Sequence, residues 1–269
     1  FQWRVGALQS AKRSLKFCEM EKLSKPLICI QLENGTLLYF DNAKPFELFT
    51  MIGKVRRNAD LKILSAEFDC AFRGSIGNIA FFSTIRGKNI KFFKAEVNDG
   101  QIRLEMINQL ITSELSLFNR EPLYFIERSK EWSVYRYDEN YSEVDGERFD
   151  ITEIDLLSKY ERHYHRGILY LFRESSTATI ERVNEKVVRV EGPLLDQSIF
   201  TPAHSDSIHI LSSQLKVMII LNTVNLTASQ LCYEPPADSN NHSIVGIHEG
   251  VLTMAFDGVW GRHLATAKV

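Results

Sequence analysis

The chain has 269 residues, of which 44% are hydrophobic and 25% charged, with a formal net charge of −2. This is the balance of a globular protein with a substantial core, and it excludes a general nucleic-acid or membrane-surface binder. No apolar stretch approaches the roughly 18 residues that a bilayer-spanning helix needs.

The N-terminus, Phe1-Gln2-Trp3-Arg4-Val5, has neither an initiator Met nor an apolar signal core, so the sequence reads as a piece of a longer chain. From there a short apolar run, a polar turn and a second apolar run recur six times. The runs occupy residues 27–32, 78–83, 123–127, 168–172, 207–211 and 243–248. Markers at Ile28, Ile79, Leu123, Ile168, Ile208 and Ile244 lie 51, 44, 45, 40 and 36 residues apart. Strand-like units at that period predict an all-β chain, a β-propeller with one four-stranded blade per repeat. Six blades in a single domain over residues 1–269 are expected; seven blades or a β-sandwich are the alternatives.

In the first repeat, Leu27-Ile28-Cys29-Ile30-Gln31-Leu32 is a buried-strand run and Leu37-Leu38-Tyr39-Phe40 its partner. Between them Asn34-Gly35 predicts a type I′ hairpin turn, with φ > 0 at both central positions. The later repeats add a second hairpin: residues 91–97 and 101–104 around Asn98-Asp99-Gly100, residues 132–137 and 144–149, and residues 179–183 and 187–190 around Asn184-Glu185-Lys186. With the four strands of a repeat labelled A to D, the marker runs are expected to be strand B. Residues 61–66 and 109–111 are candidates for strand A, and Arg73-Gly74-Ser75-Ile76-Gly77 reads as a turn entering strand B. Residues 154–160 could form a short helix. Residues 251–256 are expected to be strand C of the last blade, with residues 1–5 supplying its outer strand and closing the ring.

Arg166-Gly167-Ile168-Leu169-Tyr170-Leu171-Phe172 resembles the second strand of a kelch repeat, and Gly77-Asn78-Ile79-Ala80-Phe81-Phe82 is a weaker echo of it. The kelch double glycine is absent, as are the Gly-His and Trp-Asp pair of WD40 repeats, Tyr-Trp-Thr-Asp and the sialidase Asp-box. What the resemblance implies is a divergent propeller with kelch-like or WD-like repeats.

No catalytic motif is present: no phosphate-binding glycine loop, no H-E-x-x-H, no G-x-S-x-G. Cofactors and metals are not expected. His163 and His165 would share one face of a strand, which is compatible with a metal, but no third ligand is visible and arginines flank the pair. They are read as part of a solvated loop between blades. Cys18, Cys29, Cys70 and Cys232 lack metal or redox spacing, and Cys29 is expected to be a buried thiol. Sequons at Asn34, Asn140, Asn225 and Asn241 offer a secreted alternative to the expected intracellular location.

The B–C turns of a propeller emerge on one face together with the D–A connections, and the A–B and C–D turns on the other. The candidate B–C turns carry Arg86 with Lys88, Arg128 with Lys130, and Arg173; the D–A candidates add Lys54, Arg56, Arg57, Arg162 and Arg166. The C–D turns carry Asp99, Asp138, Glu139, Glu143, Asp145 and Glu185, while Glu33 and Glu249, assigned to B–C turns, break the pattern. A basic face would attract an acidic or phosphorylated partner. The binding residues expected are therefore Arg86, Lys88, Arg128, Lys130 and Arg173, on a non-enzymatic scaffold for a peptide or a partner domain. A hydrolase or lyase with its site at the central channel, and a binder of phosphate or RNA backbone, are the alternatives.

Overall fold

The computed structural model describes residues 14–23, 28–41, 47–52, 55–58, 69–86, 89–111, 115–118, 123–128, 131–137, 143–149, 160–192, 197–201, 205–236, 239–258 and 261–269. Every regular element among them is a strand. Two N-terminal strands, β1 (Ser14–Leu15) and β2 (Cys18–Leu23), precede the repeats. Sheet one is β3 (Ile28–Gln31), β4 (Leu37–Asp41), β5 (Glu47–Ile52) and β6 (Val55–Asn58). Sheet two is β7 (Asp69–Ile76), β8 (Ile79–Arg86), β9 (Asn89–Asn98) and β10 (Gln101–Ile111). Sheet three is β11 (Leu115–Phe118), β12 (Leu123–Arg128), β13 (Glu131–Tyr137) and β14 (Glu143–Phe149). Sheet four contains β15 (Glu161–His165), β16 (Ile168–Glu174), β17 (Thr179–Asn184) and β18 (Val187–Gly192). Sheet five contains β19 (Gln197–Phe200), β20 (Ser207–Ser212), β21 (Val217–Asn222) and β22 (Thr227–Tyr233). Sheet six contains β23 (Ser239–His248), β24 (Val251–Gly258) and β25 (Gly261–Lys268). These are six separate sheets, not two stacked ones.

The N-terminal strands complete the last two sheets. β1 runs parallel to β22 as a fifth strand of sheet five, and β2 pairs antiparallel with β25 as the outer strand of sheet six. Residues 1–5, expected in that outer place, lie outside the described residues, as do residues 61–66 and 154–159. By its internal contacts the chain forms two compact units: Leu27–Ile154 with sheets one to three, and Phe1–Pro26 plus Asp155–Val269 with sheets four to six.

Six sheets recur among the described residues, but their phase differs from the sequence expectation at both ends. Ile79, Leu123, Ile168 and Ile208 lie on second strands, whereas Ile28 and Ile244 lie on the first strands β3 and β23. This slip explains the longest and shortest marker spacings. The second strands begin at Leu37, Ile79, Leu123, Ile168, Ser207 and Val251, a regular 39–45 residues apart. Residues 251–256 are thus in the second strand of sheet six, and the third is β25. Residues 109–111 end the fourth strand of sheet two instead of starting sheet three. Residues 73–76 belong to β7, where the register shifts between Phe72 and Gly74, and the turn is confined to Gly77-Asn78.

Turn chemistry sets the hairpins. Asp99-Gly100, Arg166-Gly167 and Glu249-Gly250 each place two residues at positive φ between paired strand ends, as a type I′ turn requires. Asn34-Gly35 does not: only Gly35 is positive (φ 83). Gly35 N–H donates to the Leu32 carbonyl and Leu32 N–H to the Thr36 carbonyl, both at 2.9 Å, giving a three-residue loop with a glycine bulge.

Sheet four departs from the meander. Its order is β15-β16-β18-β17, with β18 parallel to β16 and β17 outermost. The apolar content of the two strands accounts for the exchange. Val187, Val188 and Val190 of β18 are buried, whereas residues 181–184 of β17 are exposed. The more apolar strand takes the interior place, and the charged one forms the edge.

The cores lie between consecutive sheets within each unit. In Leu27–Ile154, Leu38 and Phe40 of β4 meet Phe82 of β8 and Phe93 of β9, with the Phe40 and Phe82 rings edge-on at 5.4 Å. The other face of β4 carries Tyr39, which stacks on Phe49 at 5.4 Å. Strands covered on both faces need near-continuous apolar sequence, which is what Leu37-Leu38-Tyr39-Phe40 supplies. In the other unit one cluster joins sheets four and five through Tyr170, Phe172, Ile208 and Ile210. A second joins sheets five and six through Leu211, Met218, Met254 and Phe256.

Candidate functional site

The expected basic residues fall into two groups. Arg86 is the last residue of β8, paired with Asn89, and Arg128 is the last residue of β12, paired with Glu131. Both close a second-to-third-strand hairpin at the same register, and each begins an Arg-x-Lys sequence, Arg86-Gly87-Lys88 and Arg128-Ser129-Lys130. Lys88 and Lys130 lie outside the described residues.

Arg173 is different. It sits inside β16, one residue before its end, within a polar row that crosses sheet four. Its guanidinium contacts the Glu191 carboxylate at 2.8 Å and lies 5.0 Å from the centre of the Tyr160 ring. The Tyr160 hydroxyl donates to the same carboxylate at 2.6 Å. Arg189 lies 6.0 Å from that ring and 3.5 Å from Glu181. The register explains the row. Arg173 pairs with Glu191, and Arg189 pairs with Glu181, so all four share one face of the sheet. Burial, then the bond to Glu191, pushes the Tyr160 phenol above its usual range. Arg173 is thus engaged within its own sheet.

At the opposite ends, sheet one is bound to sheet two and sheet four to sheet five. In the unit Leu27–Ile154, Glu33 N–H donates to the Gly77 carbonyl (3.1 Å), the buried Thr50 hydroxyl to the Gly100 carbonyl (2.7 Å) and Arg57 to the Asp99 carbonyl (3.0 Å). In the other unit Arg166 pairs with Asp206, whose carbonyl accepts from the Thr223 N–H and hydroxyl at 2.8 and 3.0 Å. Several charge assignments change accordingly. Glu33 and Glu249 lie in first-to-second-strand turns and not in second-to-third-strand turns. Arg56 and Arg57 lie within β6, Arg162 lies within β15 and Arg166 is in the β15–β16 turn; none is in a connection between sheets. Glu143 and Asp145 are on β14 and Glu185 is in the β17–β18 turn, while Lys54, Asp138 and Glu139 lie outside the described residues.

His163 and His165 are not in a loop. They belong to the first strand of sheet four and are each 2% exposed. His163 Nε2 contacts the Thr201 hydroxyl, and His165 Nε2 donates to the Ser205 carbonyl at 2.9 Å. Both reach sheet five, because alternate residues of β15 face it. Burial holds His165 below the ordinary imidazole range, against the opposing effect of its bond to Ser205. Among the described residues no group of three His, Cys, Asp or Glu could hold a metal.

A second histidine group has the outline of a hydrolytic relay. Tyr233 Oη lies 2.8 Å from His242 Nδ1, and His242 Nε2 lies 3.2 Å from Ser239 Oγ. Ser239, however, donates its one hydroxyl proton to the Pro236 carbonyl at 2.8 Å. The Tyr233 hydroxyl also reaches the Ser212 carbonyl at 3.4 Å, so the group is one hydrogen-bonded network that ties Ser212, Tyr233, His242, Ser239 and Pro236 together. The relay fixes the Pro235-Pro236 connection between sheets five and six.

No family model and no curated protein matches the chain. Solved structures do. The PQQ-bound form of an aldose sugar dehydrogenase from Streptomyces coelicolor superposes with a TM-score of 0.50 at 8% identity, over 94% of this chain and 98% of that one. YCF48 bound to D1 peptide gives 0.50 at 10% identity, over 96% of each chain. The C-terminal WD40 domain of Sif2 gives 0.41 at 9%, over 96% and 99%. The chain is a divergent β-propeller. At such identities the likeness is one of fold.

Sequence reasoning placed Arg86 and Arg128 correctly at hairpin ends but missed the polar row and the relay. Tyr160 and Arg173 are thirteen residues apart, and only a β15–β16 register brings them together. His242 had a local signal, since it follows the Pro235-Pro236 pair that it fastens.

Proposed function

We propose that this propeller is a non-enzymatic docking module that holds an acidic or phosphorylated peptide segment on its second-to-third-strand turns. The proposal takes residues 1–269 as one domain. The observation that carries it is the repeated Arg-x-Lys at the same register of sheets two and three, with Arg86 and Arg128 each closing the hairpin. Arginine can grip carboxylate or phosphate bidentately, and an adjacent lysine adds a mobile charge. The turns at the other end are hydrogen-bonded to adjacent sheets, which leaves them less free to adapt to a ligand. YCF48, similar in fold, was solved with a peptide bound, which supports a peptide as ligand.

The test uses three labelled peptides of one length: a Glu-rich peptide, its phosphoserine counterpart and a Gln analogue. The anionic pair is expected to bind, to weaken with salt, and to lose at least tenfold in affinity when Arg86, Lys88 and Arg128 are all changed to Glu. Stability should move by less than about 0.5 kcal/mol per site, as for surface positions. Equal binding of the Gln analogue, or unchanged affinity in the triple variant, refutes the reading.

A further inference from the structure

The β21–β22 turn carries the sequon Asn225-Leu226-Thr227, and the fold presents it outward. The turn is bound together from within. Asn222 Oδ1 accepts the N–H groups of Val224 and Asn225 at 2.9 and 3.1 Å. Thr223 donates its N–H and its hydroxyl to the Asp206 carbonyl. Leu226, at positive φ (54°), packs against the cluster that contains Tyr170, Phe172 and Ile208. With Leu226 turned inward, Asn225 and Thr227 on either side of it are both exposed.

The polar atoms of these two residues are ordered. Asn225 Oδ1 accepts the Thr227 N–H at 3.1 Å and the Thr227 hydroxyl at 2.6 Å. A backbone N–H can only donate, so the accepting atom is the amide oxygen, and Nδ2 is the arm of the amide directed away from Thr227. An N-glycan acceptor needs that nitrogen, and a hydroxyl two residues on, at a reachable surface. The other described sequons offer less. Asn241 is exposed but lies inside the β23 ladder opposite Asp257, and His242 beside it is buried and bonded to Tyr233. Asn34 is exposed, but Thr36 is half-buried and its carbonyl accepts from the Leu32 N–H.

We propose that Asn225 is an acceptor for N-linked glycosylation, taking an oligosaccharide from a polyprenyl-pyrophosphate donor. The bond from Nδ2 to the anomeric carbon forms as the bond from that carbon to the pyrophosphate oxygen breaks. Nδ2 gives up one proton, and the lipid pyrophosphate leaves. The glycan stands at the third-to-fourth-strand turn of sheet five, so it does not depend on the docking function proposed for second-to-third-strand turns.

The purified full chain, folded, is incubated with a single-subunit oligosaccharyltransferase that accepts Asn-x-Ser/Thr and with its lipid-linked oligosaccharide. Occupancy at each sequon is read by mass spectrometry. Asn225 is expected to carry the oligosaccharide at roughly tenfold or more the occupancy of Asn241, whose backbone must first leave its ladder. Cleavage after Lys216 and Arg262 leaves both sequons on one peptide, Val217–Arg262, where the preference should largely disappear because the fold is gone. Thr227→Ser keeps the hydroxyl and the modification, whereas the nearly isosteric Thr227→Val abolishes it. The proposal is overturned if Asn225 of the folded chain stays unmodified, if Asn241 is occupied equally, if the preference is as large on the free peptide, or if T227V is modified like the wild type.

Discussion

His209 makes the stability of this propeller depend on pH in a way that one substitution can isolate. It lies on β20 between Phe200 and Ile220, its cross-strand partners, and is 5% exposed. Its Nδ1 is buried without a hydrogen-bond partner among the described residues. Burial pushes the imidazole down to about 4, against an ordinary value of 6.5. Above pH 6.5 neither the folded nor the unfolded chain is protonated at this residue, and it contributes no pH dependence. Between 6.5 and about 4 only the unfolded chain takes up the proton, so stability falls as the pH drops, and the loss levels off below 4. The full loss is about 3 kcal/mol, of which about 2 kcal/mol is reached by pH 5. His165 and His242 are also lowered by burial and act in the same direction, so the wild type loses more than this share. His209→Leu removes one titration while keeping an apolar side chain of similar size. Urea denaturation followed by circular dichroism, at pH 7.5 and pH 5, should show the variant losing about 2 kcal/mol less than the wild type over that interval. Parallel losses in the two proteins would refute a neutral, buried His209.

Two further outcomes follow from packing and from the polar row. Phe82 is fully buried against Phe40 and Phe72, so Phe82→Ala should cost about 3–5 kcal/mol, seen as a drop in the denaturation midpoint. Arg173→Ala should destabilise by about 1–3 kcal/mol, because it removes a charged hydrogen-bond partner from Glu191. By the proposed division of roles Arg173→Ala leaves anionic-peptide affinity within about twofold, well under the shift of a lost ion contact, whereas Arg86→Ala weakens binding and spares the midpoint.

How far the sequence revealed the fold depended on whether the signal was local. Turn residues and apolar runs are local, so the recurrence of short sheets, the third strand through Trp132, and the hairpin ends at Arg86 and Arg128 were legible. The phase of the repeat was not. A first and a second strand are both covered on two faces, so Leu27-Ile28-Cys29-Ile30 and Leu37-Leu38-Tyr39-Phe40 look alike, and nothing in either run says which comes first in its sheet. The exchange of β17 and β18 was hidden for a related reason. A hairpin has the same sequence whichever of its arms faces inward, and only the burial available beside β16 decides. The histidines misled because Arg162 and Arg166 imply solvent, while the alternation of a strand lets His163 and His165 point inward between them.

Correcting the phase alters the electrostatic argument as well as the topology. Glu33 and Glu249 were exceptions only while they were assigned to second-to-third-strand turns. Once β3 and β23 are first strands, both residues leave the second-to-third-strand turns, while sheets two and three keep Arg86 and Arg128 at theirs. The same correction removes Arg57 and Arg166 from the basic set, because the carbonyl of Asp99 and the carboxylate of Asp206 engage them. With Arg173 engaged by Glu191, the proposed docking charge narrows to the two Arg-x-Lys sequences that begin at Arg86 and Arg128. A short anionic segment can satisfy two such turns, whereas a long polyanion needs a continuous basic track. On the proposed docking function, that difference in reach is why a peptide is proposed as the ligand instead of a nucleic-acid backbone.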